Sequence, residues 1–193
     1  MDLCFATNNK GKLEEIKVLL KGQYNILSLQ DIGCHEELPE TQPTIPGNSL
    51  QKAQYVWDHY QVNCFADDSG LEVTALNGEP GVYSARWAGP GCTPEDNITL
   101  LLKKLSGIEN REANFLTCIT LILNGKIKQF DGIVEGHISK ERSGSKGFGY
   151  DPVFIPENKE VSFAEMTIEE KNAISHRGKA VRALVKYLRK AQS

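Results

Sequence analysis

Two long apolar-rich runs, Ala113 to Leu123 and Lys126 to Ile138, meet at Asn124-Gly125, and no other feature restricts the fold as much. Asn-Gly fills both left-handed positions of a tight two-residue turn, so it folds the flanking runs back on each other as an antiparallel hairpin. The chain before the hairpin reads differently. Leu3 to Ala6 is a short apolar run, Thr7 to Lys12 is polar, and Leu13, Ile16, Leu19 and Leu20 then recur at helical spacing; this is strand, loop, helix. Tyr24 to Leu29 predicts a second strand, and a helix is predicted from Asn48, with Pro46 and Gly47 as the turn before it. Alternating strands and helices followed by a hairpin require a mixed sheet, so the predicted class is α/β.

Further elements follow from local signals. Val62 to Ala66 and Leu71 to Leu76 read as two short strands separated by Asp67-Asp68-Ser69-Gly70. Thr93-Pro94-Glu95-Asp96 is a helix start, with Thr at the cap, Pro at the first helical position and acids in the first turn. Thr167 with Glu170 fits a capping box, and the basic segment from Glu169 to Ala191 is expected to break into two helices at Gly178. A chain of 193 residues suits one domain, or one domain with two lobes. Its net charge of -3 gives no global attraction to nucleic acid or to an anionic membrane, so an anionic substrate must be met by a local cluster of Lys and Arg. The start Met1-Asp2-Leu3-Cys4-Phe5 lacks a basic segment followed by an apolar one, and the longest apolar run, Leu116 to Leu123, is too short to span a bilayer. A cytoplasmic protein is expected. Five cysteines at wide spacing, with no C-x-x-C pair, favour neither a disulfide framework nor a zinc site.

Four stretches carry chemistry. Asp67 and Asp68 stand side by side at the end of an apolar run, where mutual repulsion is relieved by a hard cation such as Mg2+, or by backbone amides if the acids only shape a turn. The polar stretch before the first helix carries Lys10 and Lys12 and offers unpaired N–H groups to phosphate, though without the pattern of a Walker A loop; its plainer reading is a solvated loop. Ser143 to Pro152 interleaves glycines with Phe148 and Tyr150, as a loop that stacks on a base would, or as a flexible loop with a packed Phe. Ser175-His176-Arg177-Gly178 is a turn able to point His and Arg inward. Together these are the parts needed to hold a nucleoside triphosphate by metal, cations and a stacked base.

The blocks Thr7-Asn8-Asn9-Lys10-Gly11-Lys12, Ala66-Asp67-Asp68-Ser69-Gly70-Leu71, Gly81-Val82-Tyr83-Ser84-Ala85-Arg86, Gly147-Phe148-Gly149-Tyr150-Asp151-Pro152 and Glu170 to Gly178 resemble the signatures of the inosine/xanthosine triphosphate pyrophosphatases, in that family's order. The resemblance implies a two-lobed α/β domain over residues 1–193 with a long central mixed sheet and a cleft between lobes, a homodimer, and Mg2+-dependent hydrolysis of ITP, dITP and XTP to monophosphate and pyrophosphate. It implies Asp68 as general base and metal ligand, Glu40 as second ligand, and Asp67 and Lys52 as supporting members. Thr7, Asn8, Asn9, Lys10, Gly11, Lys12 and Ser69 would hold the triphosphate, aided by Lys171; Phe148, with Gly149 and Tyr150 in the same loop, would stack on the purine, and Asp151, His176 and Arg177 would address its edge. The family often has a Glu directly before the Asn of the Lys52 helix. Pro46-Gly47 stand there instead, which leaves Glu40 as the metal candidate with Glu36 and Glu37 close by. Two alternatives remain: a Maf-type pyrophosphatase of modified pyrimidine or other nucleotides, which would use similar phosphate chemistry, and, of a different class, a nucleotide-binding regulator without turnover.

Overall fold

The computed structural model describes residues 1–191. In chain order the elements are β1 (Asp2–Phe5), α1 (Lys10–Leu19), β2 (Asn25–Leu27), α2 (Ile45–Tyr60), β3 (Cys64–Val73), α3 (Pro94–Lys104), β4 (Glu112–Leu123), β5 (Lys126–Ile138), β6 (Phe154–Pro156), α4 (Ile168–Ile174) and α5 (His176–Ala191). The strands form one sheet in the order β2-β1-β3-β4-β5-β6. β1 runs parallel to both β2 and β3, while β5 is antiparallel to β6. Asn124 and Gly125 both take positive φ, 50° and 76°, as a tight hairpin requires. The expected mixed sheet is therefore present. Among the described residues no helix is long and apolar enough to cross a membrane.

The chain divides into two compact units. The first holds Met1–Asp68, Thr117–Gly132 and the chain from Arg177 onward; the second holds Ser69–Leu116 and Ile133–His176. β3, β4 and β5 each contribute residues to both.

In the first unit the two-residue period of the strands sorts side chains into two layers. Leu3 and Phe5 of β1 and Phe65 of β3 lie with Ile16, Leu20, Val181, Leu184 and Leu188, on the side covered by α1 and α5. Cys4, Ala6, Cys64 and Ala66 lie instead with Ala53 and Val56 of α2. Phe5 and Phe65 are register partners, and their rings stack at 4.7 Å. The second unit packs Leu71 and Val73 of β3 against Ile98, Leu101 and Leu105 of α3 and a cluster of Phe115, Phe154 and Phe163.

Three local expectations are corrected. Asp67 to Gly70 do not interrupt two short strands; they lie inside the single strand β3, so the acids shape no turn. Pro46 and Gly47 belong to the first turn of α2, which Thr44 caps by accepting from the Gly47 amide at 3.1 Å; a proline there gives up an N–H that had no helical partner. The break before α5 falls at Ser175, whose backbone is extended at φ -66° and ψ 159°, while Gly178 sits within the helix.

Phe65 is fully buried between strand and helices. Phe65→Ala should lower unfolding free energy by about 3–5 kcal/mol, whereas the exposed Val18→Ala should change it by less than about 0.5 kcal/mol. Urea denaturation measures both, and a Phe65→Ala midpoint equal to wild type would contradict the packing.

Candidate functional site

Because successive residues of a strand point to opposite faces, Asp67 follows Phe65 toward α1 and α5, and Asp68 follows Ala66 toward α2. The adjacent acids therefore meet different partners. Asp67 is completely buried. Its Oδ1 lies 3.2 Å from Lys12 Nζ, and its Oδ2 accepts from Arg177 Nε at 2.9 Å. Arg177 Nη1 donates to the carboxylate of buried Glu15, so two acids and two bases close a neutral quartet. Burial alone would push the Asp67 carboxyl up, but Lys12, Arg177 and Lys52 together hold it far below the usual carboxylate range. The two carboxylates raise the Arg177 guanidinium in turn, against its burial.

On the α2 side, Lys52 Nζ lies 3.4 Å from Asp68 Oδ1 and also contacts the Glu40 carboxylate. Asn48 Nδ2 donates to Asp68 Oδ2 at 3.3 Å. Burial pushes the Asp68 carboxyl up, Lys52 and Lys12 pull it down, and Glu40 and Asp67 push it up again, leaving it raised. Lys52 is lowered by burial but raised more by Asp68, Glu40 and Asp67. One ammonium thus serves two carboxylates.

Glu40 belongs to a segment without regular structure, and side chains hold that segment in place. The Asn8 amide donates to the Glu36 carbonyl at 3.5 Å and accepts from the Leu38 N–H at 3.4 Å. The Tyr60 and Tyr55 hydroxyls donate to the Glu36 carboxylate at 3.0 and 3.3 Å. Gln51 exchanges bonds with Thr41, and Asn48 Oδ1 accepts from the Gln42 amide at 2.9 Å. With its own and the His35 amide on it, followed by the Tyr60 hydroxyl, the Glu36 carboxyl is held down at about 2. Glu36 anchors the loop, and Glu40 is the acid beside Asp68.

Asn9 caps α1 by accepting from the Lys12 amide at 3.1 Å, and Thr7 Oγ1 accepts from the Asn9 amide at 3.2 Å. Lys10 and Gly11 open the helix with Lys10 exposed, while Lys12 turns to Asp67. Ser69, half-buried, follows Asp68 along β3.

The second unit gathers Phe148, Asp151 and Lys171. Asp151 Oδ2 accepts from the Phe148 amide at 2.8 Å and from Lys171 Nζ at 2.6 Å. Lys171 Nζ lies 4.8 Å from the centre of the Phe148 ring, within cation–π range. Gly149 takes positive φ at 61° beside them. His176 is buried with its ring stacked on Phe115 at 4.7 Å.

The contacts show where three of the expected residues stand. The Asn8 side chain meets the Glu40-bearing loop. Tyr150 is a core residue whose hydroxyl donates to the Ser84 carbonyl at 2.9 Å. Arg177 stands in the Asp67 quartet, where carboxylates engage its Nε and Nη1. Sequence reasoning missed Glu15 and Asn48. Asn48 carried a signal, since it precedes Lys52 by one helical turn on the same face; Glu15 carried none, because a lone acid on a helix looks solvated.

Removing the Arg177 guanidinium takes a shared cation from two buried carboxylates. Arg177→Met should cost about 3–5 kcal/mol of stability, the range for breaking a buried ion pair from one side. Unfolding within about 1 kcal/mol of wild type would mean the quartet is not structural.

The Ham1 family model matches residues 3–187. The dITP/XTP pyrophosphatase of Flavobacterium johnsoniae is 54% identical over 188 residues, covering 97% of this chain and 98% of that protein. The dITP/XTP pyrophosphatase of Porphyromonas gingivalis is 51% identical, covering 96% of each. Among solved structures, the Ham1 protein of Staphylococcus aureus superposes with a TM-score of 0.88 at 36% identity, covering 99% of this chain and 100% of that one. Matches of this extent in both sequence and backbone show that the chain belongs to the Ham1 family.

Proposed function

We propose that this protein is a nucleoside triphosphate pyrophosphatase, hydrolysing ITP, dITP and XTP between the α- and β-phosphates to release the monophosphate and pyrophosphate. The dITP/XTP pyrophosphatases that share about half its residues support the substrate class. The observation that carries the chemistry is the Asp68 carboxylate, held on both oxygens and raised above its ordinary range. A carboxylate in that condition is suited to take a proton from an attacking water.

Glu40 and Asp68 fit Mg2+. Among the described residues no group of three or more His, Cys, Asp or Glu side chains is arranged to hold a metal. Mg2+ does not need one, because it binds through one or two carboxylates and fills its remaining positions with water and substrate phosphate. When bound, the ion would neutralise the triphosphate. Lys52 holds Glu40 and Asp68 together, and the N-terminus of α1, with Lys10 and Gly11, offers N–H groups and positive charge for phosphate. Phe148 is the proposed stacking ring for the purine, and we extend the proposal to a cytoplasmic homodimer.

Asp68→Asn should lower kcat by about 100-fold or more while KM changes little, the signature of a lost general base. Pyrophosphate release by the variant at near-normal kcat would remove the assignment. Across a panel of ITP, dITP, XTP, GTP, ATP and dUTP, the first three should exceed the others in kcat/KM by roughly 100-fold. Equal rates on all six would leave a hydrolase without this specificity, and a dUTP preference would favour the pyrimidine-directed alternative.

A further inference from the structure

Asn48 and Lys52 stand one turn apart on α2 and grip the two oxygens of one carboxylate. Lys52 Nζ takes Asp68 Oδ1 at 3.4 Å, and Asn48 Nδ2 takes Oδ2 at 3.3 Å. The other end of the Asn48 amide accepts from the Gln42 N–H at 2.9 Å, two residues beyond Glu40. Asn48 is 1% exposed, so neither bond is exchanged freely with water. Only one amide orientation works, because a flip would set donor against donor at Gln42 and acceptor against acceptor at Asp68. A lysine alone is a point charge about which a carboxylate can swivel. A second donor at the other oxygen fixes the plane, and a neutral one does so without cancelling the charge.

We propose that Asn48 is a positioning residue: it fixes the plane of the Asp68 carboxylate and ties it to the loop carrying Glu40. The proposal rests on Asp68 being the base. Asn48 acts through Asp68 and the Gln42 backbone.

The test is a double-mutant cycle on pyrophosphate release from ITP, using Asn48→Leu, Asp68→Asn and the combination, with urea midpoints recorded for each. Asn48→Leu should lose roughly 10-fold or more in kcat, the size of one hydrogen bond to a charged group, with KM within about 2-fold. In the Asp68→Asn background the same substitution should change kcat by less than about 2-fold, since the orientation it supplies no longer matters. A crystal structure of Asn48→Leu should show the Asp68 carboxylate rotated about its last side-chain bond. If Leu prevents folding beside these charges, Asn48→Ser, too short to reach both partners, carries the same expectations. Wild-type kcat in Asn48→Leu, a full loss persisting without the Asp68 carboxylate, or an unrotated carboxylate would each overturn the positioning role. Near-normal turnover by Asp68→Asn alone would instead remove the base assignment beneath it.

Discussion

The pleat of β3 is what the rest of the candidate site depends on. Adjacent carboxylates on one face would repel each other at short range, but in an extended strand consecutive side chains point apart. Asp67 and Asp68 are therefore delivered to opposite sides of the sheet, and Asp67 perturbs the Asp68 carboxyl less than burial, Lys52, Lys12 or Glu40 does. The delivery is set by register. Cys4 pairs with Cys64 and Phe5 with Phe65, and the stacked phenylalanines sit two residues before Asp67. A one-residue slip would turn Asp68 toward Arg177 and Asp67 toward Lys52, exposing Phe65 to the wrong layer at the same time. Hydrophobic packing thus decides where the charges go.

Charge balance then separates the two sides. Asp67, Glu15, Lys12 and Arg177 sum to zero, all buried or nearly so, and the result is an acid held firmly ionised. Such a cluster repays its desolvation only through complete pairing, which is what structural ion networks need. On the other side Glu40 and Asp68 share Lys52, leaving one negative charge over and a carboxyl that burial keeps raised. An excess negative charge at converging carboxylates is where an added cation lowers the energy, and a raised carboxyl is where a proton can be accepted and returned. The same residue type, next to itself in sequence, is suited to opposite tasks by its surroundings.

Much of this was legible in the residues. The Asn124-Gly125 hairpin, the helix cap at Thr93, the capping box at Thr167, and the alternation of strands and helices before residue 60 are local signals, and the structure contains each. The continuity of β3 was not legible, because Asp, Ser and Gly are turn residues by propensity and only their tertiary partners keep them in a strand. Lys12 and Arg177 do meet the paired aspartates, as convergence of distant segments requires, but both meet Asp67. Which carboxylate a distant arginine finds depends on the pleat, and sequence spacing does not encode it. The backbone contacts of Asn8 and Tyr150 were not legible for a similar reason: a polar side chain in a motif can serve the backbone of a neighbouring segment as readily as a ligand.

The glycine-rich loop raises the same question of packing against mobility. Added Cβ atoms would lie 2.4 Å from the Ala164 backbone at Gly144 and 2.1 Å from Asp151 Oδ2 at Gly147, and both glycines have positive φ. These glycines are there for close approach. Asp151 comes near enough to Gly147 to accept from the next amide, Phe148, and the same oxygen holds Lys171 under the Phe148 ring. The ring is half-buried and fixed from its backbone and by a cation. A pre-positioned aromatic surrenders little rotamer entropy when a flat ligand stacks on it, whereas a ring on a mobile loop would give up about 0.5–1.5 kcal/mol of the binding energy to ordering. For the stacking role proposed for Phe148, the contacts that hold its ring matter more than the freedom its glycines allow.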